Sequence, residues 1–208
     1  MAKKSLKETV YDAILQSIID GEYGAGHILN EQTLISHFGY SKSPIREALI
    51  MLCNEGVLKN IPRYGYEVVR FTYNDIKEIM MYRRILEYGL LKRCFDRITP
   101  QQLAQLKKLQ SEIQPNSAGT AQRWENNQEF HMVLASFAEN TYATQQLQST
   151  MMLLRIAYAQ KNWELLENRA VKEDPHDVII RGIETGYLAM AEEALVRDLS
   201  IFTTVFQD

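Results

Sequence analysis

The chain has 208 residues, 46% of them hydrophobic and 24% charged, and its 23 lysines and arginines stand against 26 aspartates and glutamates for a net charge of −3. That length fits two domains of ordinary size, and the near balance of charge excludes a general polyanion binder, so any nucleic-acid surface must be local. The two cysteines, Cys53 and Cys94, each sit in an apolar helical pattern, which points to reduced core thiols in a cytoplasmic protein rather than to a disulfide framework. No apolar run approaches the ~20 residues that span a bilayer, and the N-terminus lacks the apolar core of a signal peptide. A soluble protein with no membrane partner is expected.

In chain order, Ser5-Leu6-Lys7-Glu8 reads as a capping box, and Val10, Ile14 and Ile18 recur at helical spacing up to Gly21. Gly24 and Gly26 mark a loop. Asn30 is placed to cap a second helix, which turns Leu34 and Phe38 inward before Gly39 stops it. A third helix is expected within Tyr40-Ser41-Lys42-Ser43-Pro44-Ile45-Arg46-Glu47-Ala48-Leu49, where Ser43 can accept from the free N–H groups of a new helix and Pro44 suits its first turn. Ile45, Leu49 and Leu52 form its buried stripe, leaving Lys42, Ser43 and Arg46 at an open N-terminal end. A DNA-binding helix-turn-helix inserts that end of its recognition helix into the major groove, where cations reach phosphates or guanine edges. Glu47 is read as solvent-facing or internally paired, because a carboxylate repels phosphates. After Gly56, Val57-Leu58-Lys59-Asn60 and Tyr66-Glu67-Val68-Val69 alternate around Pro62-Arg63-Tyr64-Gly65. This predicts a two-stranded hairpin, the wing of a winged helix. Gly65 permits close backbone approach, and Arg63 beside it has the charge to meet a phosphate or the minor groove.

Everything after Phe71 reads as helix with short breaks. Thr72 is placed to cap a long helix, with Ile76, Ile79, Met80, Leu90, Leu91 and Cys94 on its apolar stripe and Arg83 and Glu87 on the same stripe. Thr99-Pro100 opens the next, with Leu103, Leu106, Leu109 and Ile113 inward, up to a break over 114–119. A third runs from about Ala121 to Ala138 and sets Asn127 and His131 one turn apart. A fourth carries Leu147, Met151, Leu154 and Tyr158; Asp174-Pro175 opens a fifth with His176, Ile179, Ile180 and Ile183, ended by Gly186. The last places Leu188, Ala191, Leu195, Asp198 and Phe202 on one stripe. Asn127, His131, His176 and Asp198 thus lie on apolar faces. Buried polar groups need partners, so these four are read either as a hydrogen-bonded polar core or as a divalent-metal site. Arg83 is read either as the i,i+4 partner of Glu87 or as a guanidinium lining a cavity for an organic acid.

The run Leu29-Asn30-Glu31, Leu34, Gly39, Ser41 to Leu49, Leu52, Glu55-Gly56 and Gly65 resembles the winged-helix domain of GntR-type bacterial transcriptional regulators. The family's usual recognition helix reads Ser-Arg-Thr-Pro-Val-Arg-Glu-Ala-Leu, so Lys42 replaces an arginine and lacks the planar fork for bidentate guanine reading, though a phosphate contact is open to it. A second-helix position that is often arginine in relatives falls on Gln32. The resemblance implies DNA contacts by Gln32, Ser41, Lys42, Ser43, Arg46, Arg63 and Gly65. The remainder is similar to the all-helical ligand-binding (FCD) domain of the FadR-type branch. Many members show Asp-x-x-x-His on one helix, a His opening a later helix and a final His 22 residues beyond; here Asn127-x-x-x-His131, His176 and Asp198 occupy that layout. An amide oxygen is a weaker ligand than a carboxylate, so affinity should fall, yet the set suits zinc, nickel or manganese. Arg83 and Glu87 match the family's Arg-x-x-x-Glu.

The expected architecture is mainly α: a winged helix-turn-helix with a small hairpin wing over residues 1–71, then an all-α bundle over 72–208 for effector binding and dimerisation. The expected function is a homodimeric regulator that reads a palindromic operator in double-stranded DNA and is controlled by a small-molecule effector, a carboxylate. One alternative is a metal-responsive sensor of the same fold. A more distant one is a metal-dependent hydrolase using His131, His176 and Asp198, in which Glu129 or Glu173 would have to act as general base.

Overall fold

The structure, a computed structural model, describes residues 4–112, 120–161 and 173–203. Ile113 and the 114–119 break lie outside these residues, and the side chain of Phe202 is also outside the description. The chain divides into two compact units. One holds the residues up to Thr72 together with the end of the helix that contains Arg155, and the other holds Tyr73 to Leu154 and the last two helices.

In the first unit, helix α1 (Leu6–Ile19) starts at the capping box: the Glu8 N–H donates to Ser5 Oγ and the Ser5 N–H to the Glu8 carboxylate. Helix α2 (Glu31–Phe38) is capped by Asn30, whose Oδ1 accepts from the Gln32 N–H at 2.8 Å, and stops at Gly39 in the left-handed conformation. Helix α3 is Lys42–Asn54. Val10, Ile14, Ile18, Leu34, Ile45, Leu49 and Leu52 meet in one core, each no more than 2% exposed. Tyr11 of α1 adds a hydrogen bond from its hydroxyl to Glu55 at the end of α3.

The wing departs from the expected two strands. Strands β2 (Leu58–Ile61) and β3 (Gly65–Val68) pair antiparallel with Leu58 opposite Val68, but β1 (Ile28–Leu29) adds itself to the free edge of β3, giving the order β1-β3-β2. A strand of two residues is too short for alternation to show. Gly65 has φ +131°, and a Cβ there would overlap the Leu29 carbonyl oxygen. The close approach expected of Gly65 is therefore made to the protein's own first strand.

In the second unit, α4 (Tyr73–Cys94) is followed by a 3-10 turn (Phe95–Arg97), α5 (Pro100–Glu112), α6 (Thr120–Ser136), α7 (Thr141–Gln160), α8 (Pro175–Thr185) and α9 (Leu188–Thr203). The last turns of α7 cluster with the first unit, where Gln160 donates to the Val69 carbonyl at 2.7 Å. Asp174 caps α8 by accepting from the His176 N–H at 2.9 Å, with Pro175 at the first position. Helices α4 and α8 both pack against α9. Both cysteines are free thiols; Cys94 is buried, which pushes its thiol up to about 11. None of the described helices is long and apolar enough to cross a membrane.

The α8–α9 contact is the tightest element of this unit. A Cβ on Gly182 would lie 2.8 Å from the Ala191 backbone nitrogen, which cannot swing aside. Gly182→Ala gains ~1 kcal/mol of helix propensity but overpacks the contact by about 1–3 kcal/mol. A net loss is expected, read as a lower urea midpoint; an unchanged midpoint would show that the two helices part without cost.

Candidate functional site

Two groups of predicted residues fall in the two units. In the first, Gln32, Ser41, Lys42, Ser43, Arg46 and Arg63 are all exposed, at the starts of α2 and α3 and at the wing tip. The start of α3 corrects one expectation. Ser41, not Ser43, holds the N-cap position and makes no side-chain cap bond; Ser43 lies in the first turn and donates from its hydroxyl to Glu47 Oε1 at 2.8 Å. The first four N–H groups of any helix lack internal partners, so Pro44 fits the third position as well as the first and does not fix the start. Glu47 is accordingly an internal partner of Ser43.

Arg46 has a partner that sequence reasoning missed. Its Nε donates to Glu31 Oε1 at 2.9 Å and its Nη2 to Glu31 Oε2 at 3.1 Å, a bidentate pair between α3 and α2. The Tyr66 hydroxyl of β3 reaches Glu31 Oε1 at 3.4 Å. The hydrogen-bonded guanidinium holds the Glu31 carboxyl below its usual range. Glu31 stands in the run that carries the family resemblance, but sequence spacing gave no sign that its carboxylate would meet a side chain fifteen residues on.

In the second unit, all four residues read as a polar core or metal site come together, and Arg83 and Glu87 join them. His131 Nε2 lies 2.8 Å from Asp198 Oδ2 and 3.3 Å from His176 Nε2, and His176 Nε2 lies 3.8 Å from Asp198 Oδ1. Each of the six side chains is at most 8% exposed. Both rings are held from behind: His131 Nδ1 contacts Glu87 Oε2, and His176 Nδ1 lies 3.1 Å from Gln110 Oε1. Phe130 stacks on His176 with ring centroids 3.9 Å apart. Outer acceptors that fix the tautomer while Nε2 faces inward are the support metal-binding imidazoles need. Gln110 lies on α5, and sequence spacing gave no sign of it.

The charges are ordered. Burial alone would lower His131, but Glu87 and Asp198 on either side raise it to about 9. Burial pulls His176 down to about 4 despite Asp198. Burial would raise Asp198 and Glu87, yet His131 beside the first, and Arg83 with His131 beside the second, hold both below the usual carboxylate range.

His131, His176 and Asp198 each offer one ligand atom, and these lie within 4.8 Å of one another. Two imidazoles and a carboxylate make a chemically suitable set for a divalent ion. Asn127 enters the cluster with its nitrogen: Nδ2 is 3.2 Å from His176 Nε2, 3.3 Å from His131 Nε2 and 3.3 Å from Asp198 Oδ2, while Oδ1 accepts from Arg83 Nη2 at 3.4 Å. To ligate through oxygen its amide must turn over. Arg83 makes the i,i+4 pair, with Nε 2.5 Å from Glu87 Oε1, but its Nη1 is buried without a hydrogen-bond partner among the described residues. The carboxylates considered as general bases are elsewhere: Glu129 is exposed, and Glu173 is exposed and paired with Arg181 at 2.9 Å.

A three-helix core with a small wing defines a winged helix-turn-helix, joined here to a helical unit with a buried polar centre. Residues 6–68 match the model of bacterial regulatory proteins of the gntR family, and residues 78–200 match that of the FCD domain. The chain belongs to the GntR family, in the group whose second part is an FCD domain. It is 31% identical over 135 residues, 64% of its length, to the uncharacterised HTH-type transcriptional regulator YdhC of Bacillus subtilis. It is 33% identical over 93 residues, 45% of its length, to the gluconate operon transcriptional repressor of the same species. The matches span 60% and 38% of the length of these two relatives. Its fold is similar to that of McbR/YncC of E. coli, with a TM-score of 0.72 at 18% identity over 98% of both chains. The two Bacillus relatives are named as transcriptional regulators.

Removing the shared carboxylate should expose how much the centre depends on it. Glu87→Ala leaves Arg83 without its paired buried carboxylate and His131 with Asp198 alone, and is expected to cost about 3–5 kcal/mol in denaturant unfolding. A loss under ~1 kcal/mol, the value of an exposed pair, would mean water enters the centre freely.

Proposed function

We propose that the protein is a cytoplasmic transcriptional regulator that binds a palindromic operator as a homodimer and whose operator affinity is set by a small carboxylate in the helical unit. The observation that carries this reading is the head of α3, where Lys42, Ser43 and Arg46 are exposed, as is Arg63 at the wing tip, on a winged-helix frame. A two-fold dimer doubles the modest contact set of one recognition helix. Residues 1–71 would supply the DNA contacts, and 72–208 the effector site and the dimer surface. Gly65 lets the wing close on β1 and would join the DNA contacts at the wing.

For the effector, the supporting observation is Arg83 Nη1, a buried donor beside the polar centre without a partner among the described residues. A guanidinium with one idle edge suits a carboxylate. A relative named for a gluconate operon is consistent with an organic acid. His131, His176 and Asp198 would hold zinc, nickel or manganese, with Asn127 as a weak fourth ligand, and the ion would supply a fixed positive charge against an anionic effector. The convergence of these ligands favours a second reading, in which the ion itself is the signal. Binding at either site would reach the operator only through its differential affinity for two states of the protein.

Selection from a random duplex pool with the purified protein, followed by mobility shifts with and without organic acids, tests the regulator. Absence of any selected sequence or retardation would overturn it. On the selected duplex, Arg46→Ala is expected to cost about 1–3 kcal/mol and relax specificity at one position, whereas Lys42→Ala weakens all sequences alike and lowers the salt slope by about one. Metal analysis on the parent protein and on His176→Ala separates the ion from a satisfied polar core: equal content in both would remove the metal from the reading.

A further inference from the structure

Glu31 opens α2, and the functional reading above leaves it without a task. It is nonetheless the point at which three elements of the winged helix meet. Its carboxylate takes the Nε and Nη2 donors of Arg46 from α3 at 2.9 and 3.1 Å, and the Tyr66 hydroxyl of β3 reaches the same Oε1. The side chains differ in depth: Glu31 is 20% exposed and Arg46 52%. Arg46 Nη1 bonds no described residue.

We propose that Glu31 is the positioning residue of the DNA interface, which grips the inner edge of Arg46 so that its outer edge faces a base. The proposal rests on Arg46 reading DNA. A guanidinium presents its five donors in one plane. Glu31 uses the Nε–H and one Nη2 hydrogen, and the plane then offers the Nη1 hydrogens and the second Nη2 hydrogen at the far edge. Two donors on that edge match guanine O6 and N7. Glu31 is itself held at the Asn30-capped start of α2, so the arginine it grips is fixed to the frame rather than to another mobile side chain. A held arginine has less rotamer freedom left to lose on binding.

The sign of the charge gives a signature that no merely structural role shares. A carboxylate near phosphates opposes every DNA sequence equally. If Glu31 only repelled, its removal would strengthen binding throughout; if it only supported the fold, its removal would weaken binding throughout. As a positioning residue it does neither: specific and non-specific affinity must move apart.

The test uses fluorescence anisotropy on the full chain, with the duplex selected by the parent protein and a scrambled duplex of the same composition, for Glu31→Gln, Arg46→Ala and the double variant. Glu31→Gln should bind the selected duplex about tenfold more weakly and the scrambled duplex as well as the parent or better. In the Arg46→Ala background the same change should cause no further loss of discrimination, because Glu31 acts through Arg46. Equal weakening on both duplexes, or full discrimination in Glu31→Gln while Arg46→Ala loses it, overturns the proposal and leaves Arg46 as the reader. Full discrimination in Arg46→Ala overturns the reading of Arg46 itself, and the proposal with it.

Discussion

The helical unit depends on one buried run of charge: Arg83 to Glu87 on α4, Glu87 to His131 on α6, and His131 to Asp198 on α9. A single buried charge is costly unless it is paired and hydrogen-bonded, and here each ionised group has an opposite charge on at least one side. The run ties the three helices at fixed register, because sliding any of them by one residue would strand a charge in an apolar layer. Such a centre is weak as a source of net stability. Its value is specificity: it admits one packing of α4, α6 and α9.

The same run decides what the centre offers a ligand. Glu87 and Gln110 hold the outer nitrogens of the two imidazoles, so both Nε2 atoms aim at Asp198. Arg83 is half satisfied, with Nε on Glu87, Nη2 on Asn127 and Nη1 on no acceptor among the described residues. A buried donor without an acceptor costs about 1–3 kcal/mol, and an anion that reaches it regains that amount in addition to its own contacts. The pair with Glu87 therefore does not use up Arg83: one edge is structural, and the other is buried without an acceptor among the described residues.

Much of this was legible in the sequence. Capping residues Ser5, Asn30 and Asp174, the stop at Gly39 and the stripes of α4, α7 and α8 follow from local rules, and local rules read locally. Asn127, His131, His176 and Asp198 stood out because each interrupts an apolar stripe. The unread parts are non-local. Strand β1 has two residues and is defined only by its pairing with β3. Gln110 faces outward by composition and inward by the packing of α5 on α8. Glu31 and Arg46 each look like solvated charges until α2 and α3 are set side by side. Ser43 misled because serine, proline and a helix start are compatible with more than one register of the first turn.

Asn127 shows how one atom of difference redirects a centre. With a carboxylate at this position, Glu87, Asp198 and residue 127 would set three negative charges against Arg83 and His131, and a cation would answer the excess. With the amide, Arg83 and His131 already balance Glu87 and Asp198. The Nδ2 group also occupies the inner space, 3.2–3.4 Å from His131, His176 and Asp198, and donates toward lone pairs of His176 and Asp198 that an ion would need. Arg83 reinforces that orientation, because a guanidinium can only donate and so draws the amide oxygen to itself. An ion entering the centre must displace the amide nitrogen and turn the oxygen away from Arg83, which leaves a second guanidinium donor idle. Were an ion and an anion both to bind here, Asn127 would link them: drawing its oxygen toward the histidines would free Arg83 Nη2 for the anion, and an anion taking Nη2 would free the amide for the ion. By linkage the two effects are equal in free energy.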